Sequence, residues 1–412
     1  MSTIPDAAAS HSALGRHRLA IATAFLVQGL LFISLTTRLP VIADLFRLSE
    51  LALSGLMLLM VLLAGVGSVL AEQVAKRASS AHALRGAFVL ITVGVAIIGW
   101  SMRGPNSFTV FVVGLACYGT GVGAVDAGTN MQAVALEHRV GRPILPSFHG
   151  AWTFGGILAT ILALTTGDAV GWLGALALAA LALATLGLPY LRRDASVPDA
   201  DTAALGIPWR PIILVGLGMI LFYMVDTATT AWGPLYLASS TVFAHPASNA
   251  SLYALATLPY LVATLAARLI GDGATARFGA ATVVRAAALA AAAGLAIVVF
   301  APTWVVAVVG FFVVGLGIAV VAPLSFSAAA RIAGAGGSSD PALRQRRVDA
   351  VIARFNQFNY VGALLGSVLT GAIGSGNLRI GYAVPLVLVL GLLPLARWFA
   401  AAPAPASPTD SR

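Results

Sequence analysis

Residues 71–87, AEQVAKRASSAHALRGA, and residues 271–287, GDGATARFGAATVVRAA, lie on each other without a gap at a spacing of 200 positions. Glu72 falls on Asp272, Arg77 on Arg277, Arg85 on Arg285 and Ala87 on Ala287. Both stretches are short charged breaks between long apolar runs. A membrane chain whose second half restates its first is built as two homologous bundles with a site between them. Other echoes keep the same order. Val112-Val-Gly-Leu115 answers Val313-Val-Gly-Leu316, while Phe148-His149 and Gly155 answer Phe355-Asn356 and Gly362. Gln28 lies at about the depth of Asp226.

Composition agrees with this reading. Of 412 residues, 59% are hydrophobic and 9% charged, with a mean hydropathy of +0.93. A soluble domain would carry about a quarter of its residues charged. Apolar runs long enough to cross a bilayer fall at 19–40, 51–71, 86–103, 107–134, 145–166, 169–190, 211–237, 248–270, 283–301, 304–330, 351–374 and 378–400. The net charge of +9 would point to nucleic acid in a soluble protein. Its distribution argues otherwise. With the N-terminus placed inside, 20 of the 24 Lys and Arg residues are inside, and only Arg38, Arg47, Arg103 and Arg379 are outside. That is the bias expected of a multi-pass protein with both termini cytoplasmic, surrounded by lipid and without a nucleic-acid partner.

The organisation follows. Residues 1–18 form a polar cytoplasmic segment, 19–190 a six-helix half, 191–210 a cytoplasmic linker, 211–400 a second six-helix half, and 401–412 a disordered cytoplasmic tail rich in Ala, Pro and Ser. The first apolar run is too long for the core of a signal peptide and reads as a retained helix. Cys117 stands alone in an apolar run, so no disulfide or cysteine-based metal framework exists, and it reads as a small packing residue.

Twelve spans as six plus six, a central linker and charged 2–3 and 8–9 loops resemble the major facilitator superfamily over nearly the whole chain. The family's loop carries Gly-x-x-x-Asp-Arg followed by Gly and basic residues. Arg268-Leu-Ile-Gly-Asp272-Gly-Ala-Thr-Ala-Arg277-Phe-Gly279 is a fair version; the first copy has Ser68, Glu72 and Gln73 at the key positions. Three stretches narrow the resemblance: Asp126-Ala-Gly-Thr-Asn130-Met-Gln132, then Pro146-Ser-Phe-His149-Gly-Ala-Trp152, then Asp226 through Trp232-Gly-Pro-Leu-Tyr236. They are similar to the bacterial branch of fucose-permease-like and rhizopine-associated membrane proteins. Related sequences have an acid directly before the tryptophan of span 7, where this chain has Ala231. The resemblance implies a bacterial inner (plasma) membrane protein of the major facilitator fold: an all-α, pseudo-symmetric pair of six-helix bundles. It also implies that the loop acid of each half meets a helix start of the other half. Glu72 with Arg77 would then face the start of span 11 near Arg354, and Asp272 with Arg277 the start of span 5. Solvated topology charges are the alternative reading of those loops.

A carboxylate in mid-bilayer costs at least about 2.5–3.5 kcal/mol, so it faces a cavity or a partner. Only Asp126 and Asp226 sit well inside apolar runs. Asp226 shares a helical face with Tyr223, Thr229, Thr230 and Gly233, a polar stripe that fits either a proton-coupling acid or an acceptor for substrate hydroxyls. Asp126 reads as a proton relay with His149, or as a structural latch to His149, Arg77 or Arg85. Asn356, Asn359 and Tyr360 lie together at i, i+3 and i+4. Amides bond hydroxyl pairs and aromatic faces cover the C–H side of a sugar ring, although interhelical amide bonding accounts for them equally. Gln28, Asn130, Trp152, Trp232 and Tyr236 join the same substrate site if the halves face each other. Trp304 and Trp398 read as interfacial anchors.

The chain carries no nucleotide-binding loop, and no cofactor or metal is expected. An intramembrane enzyme would need a metal-spaced histidine pair or a Ser/His arrangement, and His149 is the only membrane-embedded histidine, so enzyme chemistry is not expected. The expectation is a monomeric secondary transporter that moves a small hydroxylated solute, sugar or inositol-like, with the proton as coupling ion. Export of apolar or cationic drugs is the competing reading. The absence of a basic residue clearly buried at the centre argues against phosphorylated or carboxylated cargo.

Overall fold

The computed structural model describes residues 7–102, 107–140, 144–166, 172–191, 206–335, 347–348, 351, 354–355 and 357–400. Its principal helices are α1 Ala7–Thr36, α2 Glu50–Arg77, α3 Ser80–Ser101, α4 Phe108–Val140, α5 Leu145–Thr166, α6 Trp172–Ala184, α7 Trp209–Ala238, α8 Leu258–Phe278, α9 Ala280–Phe300, α10 Trp304–Gly334, α11 Gln357–Ile373 and α12 Leu378–Phe399. Ten of them are long and apolar enough to cross a membrane; α6 and the described part of α11 are shorter. Among the described residues no strand occurs. Hydrocarbon offers backbone amides no water, so each segment satisfies its own.

The helices overrun the apolar limits read from the sequence. α1 starts at Ala7, inside the segment expected to be merely polar. The charged breaks at 71–87 and 271–287 are mostly helix: α2 runs to Arg77 and α3 restarts at Ser80, while α8 runs to Phe278 and α9 restarts at Ala280. Ser79 caps α3 by accepting the His82 N–H, and Gly279 makes the equivalent turn at φ +78°. The short helix Leu39–Phe46, ended by Arg47 in the left-handed region, was not expected. The proposed linker lies largely, and the tail wholly, outside the described residues.

Three helix pairs make the principal contacts of each half, and they correspond: α1 with α5, α2 with α4 and α3 with α4 in the first, α7 with α11, α8 with α10 and α9 with α10 in the second. Close approach depends on glycine. A Cβ on Gly94 would meet the Tyr118 nitrogen at 2.5 Å, and one on Gly294 the Val314 nitrogen at 2.5 Å. Gly119 rests on Met60 as Gly315 rests on Tyr260, and Gly121 on Ile91 as Gly317 on Ala291. The spacing of 200 thus holds for α2/α8 and α3/α9. It corrects the echo in span 4: these contacts match Gly114 with Gly310 and Gly119 with Gly315, a spacing of 196, so Val112-Val-Gly-Leu115 and Val313-Val-Gly-Leu316 are out of register. In α5 and α11, Gly155 lies under the Leu26 carbonyl and Gly362 under that of Ile220, as their sequence pairing at a spacing of 207 requires.

Arginines close several helix ends. Arg85 donates to the Leu186 and Leu188 carbonyls after α6, Arg331 to Phe399 and Ala400 after α12, and Arg379 to Val299 and Ala301 after α9. Cations suit helix C-termini because the last carbonyls are unpaired and the dipole is negative there. Between the halves α2 packs on α11 and α5 on α8. At the end where α1 finishes, Glu50 accepts the Gly376 N–H at 2.7 Å, and a cavity of about 340 Å³ opens between Asp44 and Glu50 of one half and Ser239, Thr241 and Tyr253 of the other.

A methyl on Gly155 would lie 2.0 Å from the Leu26 carbonyl, whereas nothing stands within 4 Å of one on Gly150 of the same helix. Gly155→Ala is therefore expected to destabilise by about 1–3 kcal/mol, the usual cost of overpacking. Gly150→Ala should be neutral or slightly stabilising, and melting of the two detergent-purified variants compares them directly.

Candidate functional site

Local sequence sets up the site in α7. Pro234 has no N–H and its ring clashes with the carbonyl four residues back, that of Thr230. The helix accommodates this by a π-turn over Ala228–Trp232, beginning two residues after Asp226. Such single wide turns recur at functional positions. Thr230 donates its hydroxyl to the Asp226 carbonyl at 2.8 Å, and Thr229 is fully buried.

Asp226 itself is half-buried, and its Oδ1 accepts a 2.5 Å hydrogen bond from Tyr260 of α8. Arg268, two helical turns further along α8, lies within electrostatic reach of Asp226, Tyr260, Tyr223 and His149. Its guanidinium donates to the Ala319 carbonyl at 3.3 Å and to Thr153 Oγ1 of α5 at 3.1 Å. A half-buried basic residue therefore does stand between the halves. The sequence reading missed it because Arg268 closely precedes the limit set for span 8, which placed it with the loop; α8 continues to Phe278, and the side chain bonds across to Thr153.

The second cluster surrounds Asp126. Gln28 Nε2 of α1 and Asn130 Nδ2 each donate to Asp126 Oδ1 at 3.3 Å, and Tyr360 of α11 donates to Oδ2 at 3.0 Å. Thr129 Oγ1 lies 3.4 Å from Gln28 Oε1 and donates its proton back to the Val125 carbonyl at 2.8 Å. Gln28, Asn130 and Tyr360 are thus brought together as residues from both halves. Tyr223 lies within electrostatic reach of both carboxylates.

His149 was read as a possible partner for Asp126; its ring lies edge-on to Phe25 at 5.4 Å, with Arg268 as a nearby charge. Arg85, another candidate for a latch on Asp126, is engaged at the end of α6 and covers the Tyr190 ring. Trp152 is half-buried against Phe32, and Asn359 is half-buried on α11. Trp232 and Tyr236 are different: both are fully buried, with their polar atoms bonded to the carbonyls of Ser367 at 2.9 Å and Val298 at 2.6 Å. Asn356 lies outside the described residues. Of the loop residues, Glu72, Arg77 and Arg277 are exposed, and Arg277 covers Phe278. Arg354 is exposed and covers Trp209, while the side chain of Asp272 is not among those described. The residues that sequence reasoning missed, Tyr260, Arg268, Thr129 and Thr153, are silent as letters because tyrosine and threonine occur freely in apolar helices.

The arrangement provides two carboxylates, one guanidinium, two amides and three phenols around the interface between two bundles. It can bind hydroxyls and hold a proton. Among the described residues no group of three or more metal-ligating side chains is found.

No family model matches the chain. It is 27% identical over 327 residues to the uncharacterized transporter y4wD of Sinorhizobium fredii, covering 75% of this chain and 81% of that one. It is 23% identical over 381 residues to an MFS-type transporter of Yersinia pestis, covering 91% and 93%. In fold it matches the nucleoside transporter NupG with a TM-score of 0.64 at 16% identity, over 94% of this chain and 98% of that one. It matches a D-xylose–proton symporter with a TM-score of 0.65 at 17% identity, over 93% and 98%. Two pseudo-symmetric bundles with a polar cluster between them give the chain the major facilitator fold of a multi-pass membrane protein, and the proteins it resembles are named as transporters.

Proposed function

We propose that the protein moves a small hydroxylated solute, sugar or inositol-like, across the bacterial inner membrane by alternating access, coupled to protons, with both termini cytoplasmic. The observation that carries this reading is the Asp126 cluster: a carboxylate within α4 held by Gln28 and Asn130 of its own half and by Tyr360 of the other. Amides, phenols and carboxylates form the donor and acceptor set that a polyol needs. A solute hydroxyl that took the place of Tyr360 on Asp126 would act on the contact between the halves directly. Structural neighbours named for a nucleoside and a pentose, both hydroxylated, support the solute class.

In this reading Asp126, Asp226, Gln28, Asn130, Trp152, Asn359 and Tyr360 face the solute, with Asn356 as their neighbour in sequence. Trp232 and Tyr236 support the site from within the second half. Asp126 and Asp226, together with His149, are the candidates for proton coupling. Glu72, Arg77, Asp272, Arg277 and Arg354 act at the cytoplasmic end as gate charges, and the molecule works as a monomer.

The test is thermal stabilisation of the detergent-purified protein against sugars, inositols, nucleosides, amino acids and cationic drugs at two pH values. A ligand that binds only the folded state stabilises it by mass action, about 2.7 kcal/mol at a hundredfold excess over Kd. A response among polyols is the expected result; a response confined to apolar cations would replace the reading with drug export, Asp226 then serving as counter-ion. For a solute identified in this way, Asp226→Asn in proteoliposomes is expected to abolish accumulation driven by a pH gradient and to retain solute exchange. Unchanged pH-driven uptake would remove Asp226 from the coupling step. Tyr236→Phe, which removes the phenol from the Val298 carbonyl and leaves it the Ala301 N–H, should lower stability by about 0.5–1.5 kcal/mol and leave solute affinity at the wild-type value.

A further inference from the structure

Two of the contacts that cross the interface are mates under the internal symmetry. Ser68 on α2 lies near Tyr360 on α11, and Arg268 on α8 donates to Thr153 on α5 at 3.1 Å. Residue 268 is the mate of 68 at the spacing of 200, and 360 is the mate of 153 at the spacing of 207 that relates Gly362 to Gly155. Each contact is joined to a carboxylate of the site. Tyr360 also donates to Asp126, and Arg268 lies within electrostatic reach of Asp226 and its partner Tyr260. One of the two is built from neutral groups; the other carries a full positive charge.

The charged contact has a defined geometry. The Thr153 hydroxyl donates to the His149 carbonyl at 3.0 Å, so a lone pair remains for the guanidinium. The Arg268 Nε is held by the Ala319 carbonyl of α10. Its planar fork can therefore serve α10, the opposite half and the Asp226 cluster together, which the single ammonium of lysine cannot do. Thr153 is buried, and hydrogen bonds to charged donors gain strength where water is excluded.

We propose that Arg268 is a positioning residue that ties the Asp226–Tyr260 pair to the opposite half through the Thr153 hydroxyl, so that a change at Asp226 alters the strength of the α5–α8 contact and the balance between conformations. This rests on the alternating-access reading and does not depend on the solute class. The groups facing the guanidinium are Asp226 of α7, Tyr260 of its own helix, Tyr223 of α7, and His149 and Thr153 of α5. Movement of the guanidinium toward a carboxylate that has lost its phenol weakens the bond to Thr153. Occupation of Asp226 by a proton relaxes it back.

The experiment needs neither a solute nor a pH gradient, so its failure and the failure of the polyol reading are separate results. Spin labels on Ser49→Cys and Thr241→Cys, both exposed and on opposite sides of the cavity between the halves, report their separation in a Cys117→Ser background. Thr153→Val is expected to shift the ratio of near and far populations by roughly tenfold, the effect of losing one hydrogen bond to a charged group. Thr153→Ser, which keeps the hydroxyl, should restore the wild-type distribution. Arg268→Lys should fall between Arg268→Gln and wild type. A wild-type distribution in Thr153→Val overturns the proposal, and so does a Thr153→Ser variant that departs as far as Thr153→Val. Melting temperatures of the same samples separate a general loss of stability, which would move both threonine variants equally, from the directional shift.

Discussion

Water is scarce in the middle of a bilayer, so a polar atom placed there must find its partner within the chain. The rest of this structure depends on that constraint. It restricts the described backbone to helices. It directs Arg85, Arg331 and Arg379 to the carbonyls that helix ends leave over. It surrounds Asp126 and Asp226 with donors before any solute arrives. A carboxylate that needs a donor from the other half, as Asp126 needs Tyr360, is a structural bond and a chemical group at once. Whatever competes for that carboxylate also competes for the interface.

The division of labour within each half follows from the same constraint. Inside a half the helices meet backbone to backbone at Gly94, Gly119, Gly155, Gly294, Gly315 and Gly362, where even a methyl finds no room. Such contacts have one packing and resist sliding. Between halves the hydrogen bonds named above each involve a side chain, among them tyrosine, arginine, threonine and glutamate, which can change partner without opening a helix. Two rigid bodies joined by an adaptable polar seam can rock, and small shifts in the seam become large displacements at the ends because the bodies do not deform.

The sequence displayed the fold at the positions where charge interrupts apolarity. The match of Arg77 with Arg277 and Arg85 with Arg285 was readable because charges are rare in this chain and their spacing stands out. The match of Val112-Val-Gly-Leu115 with Val313-Val-Gly-Leu316 failed for the opposite reason. Short strings of valine, glycine and leucine recur freely in apolar helices, and register there is decided by which glycine a neighbouring backbone touches, which no string shows. Asp126, Gln28, Asn130 and Tyr360 were each legible as candidates because polar residues in an apolar run have few uses, but not as one cluster, since the partners read for Asp126 were His149, Arg77 and Arg85. Arg268 was not, since the limit of an apolar run is a poor guide to the depth at which a long side chain ends. Trp232 and Tyr236 have amphipathic side chains that suit a binding site and a core equally well, and only the partners of their polar atoms, two backbone carbonyls, distinguish the cases.

The internal symmetry is kept in the scaffold and broken at the site. Under the spacings set by the glycine contacts, Tyr260 stands where the first half has Met60, Arg268 where it has Ser68, and Tyr360 where it has Thr153. Asp126 has Ala322 as its mate. Two identical halves would give inward-open and outward-open states of equal energy, with a site of equal affinity in each. Each substitution places a charge or a phenol on one side of the pseudo-axis alone, so the two states differ in which donors reach which carboxylate. A proton or solute can shift an equilibrium only as far as its affinity differs between the states. In this chain these mismatched pairs, which join the two carboxylates to the opposite half, are where such a difference can arise.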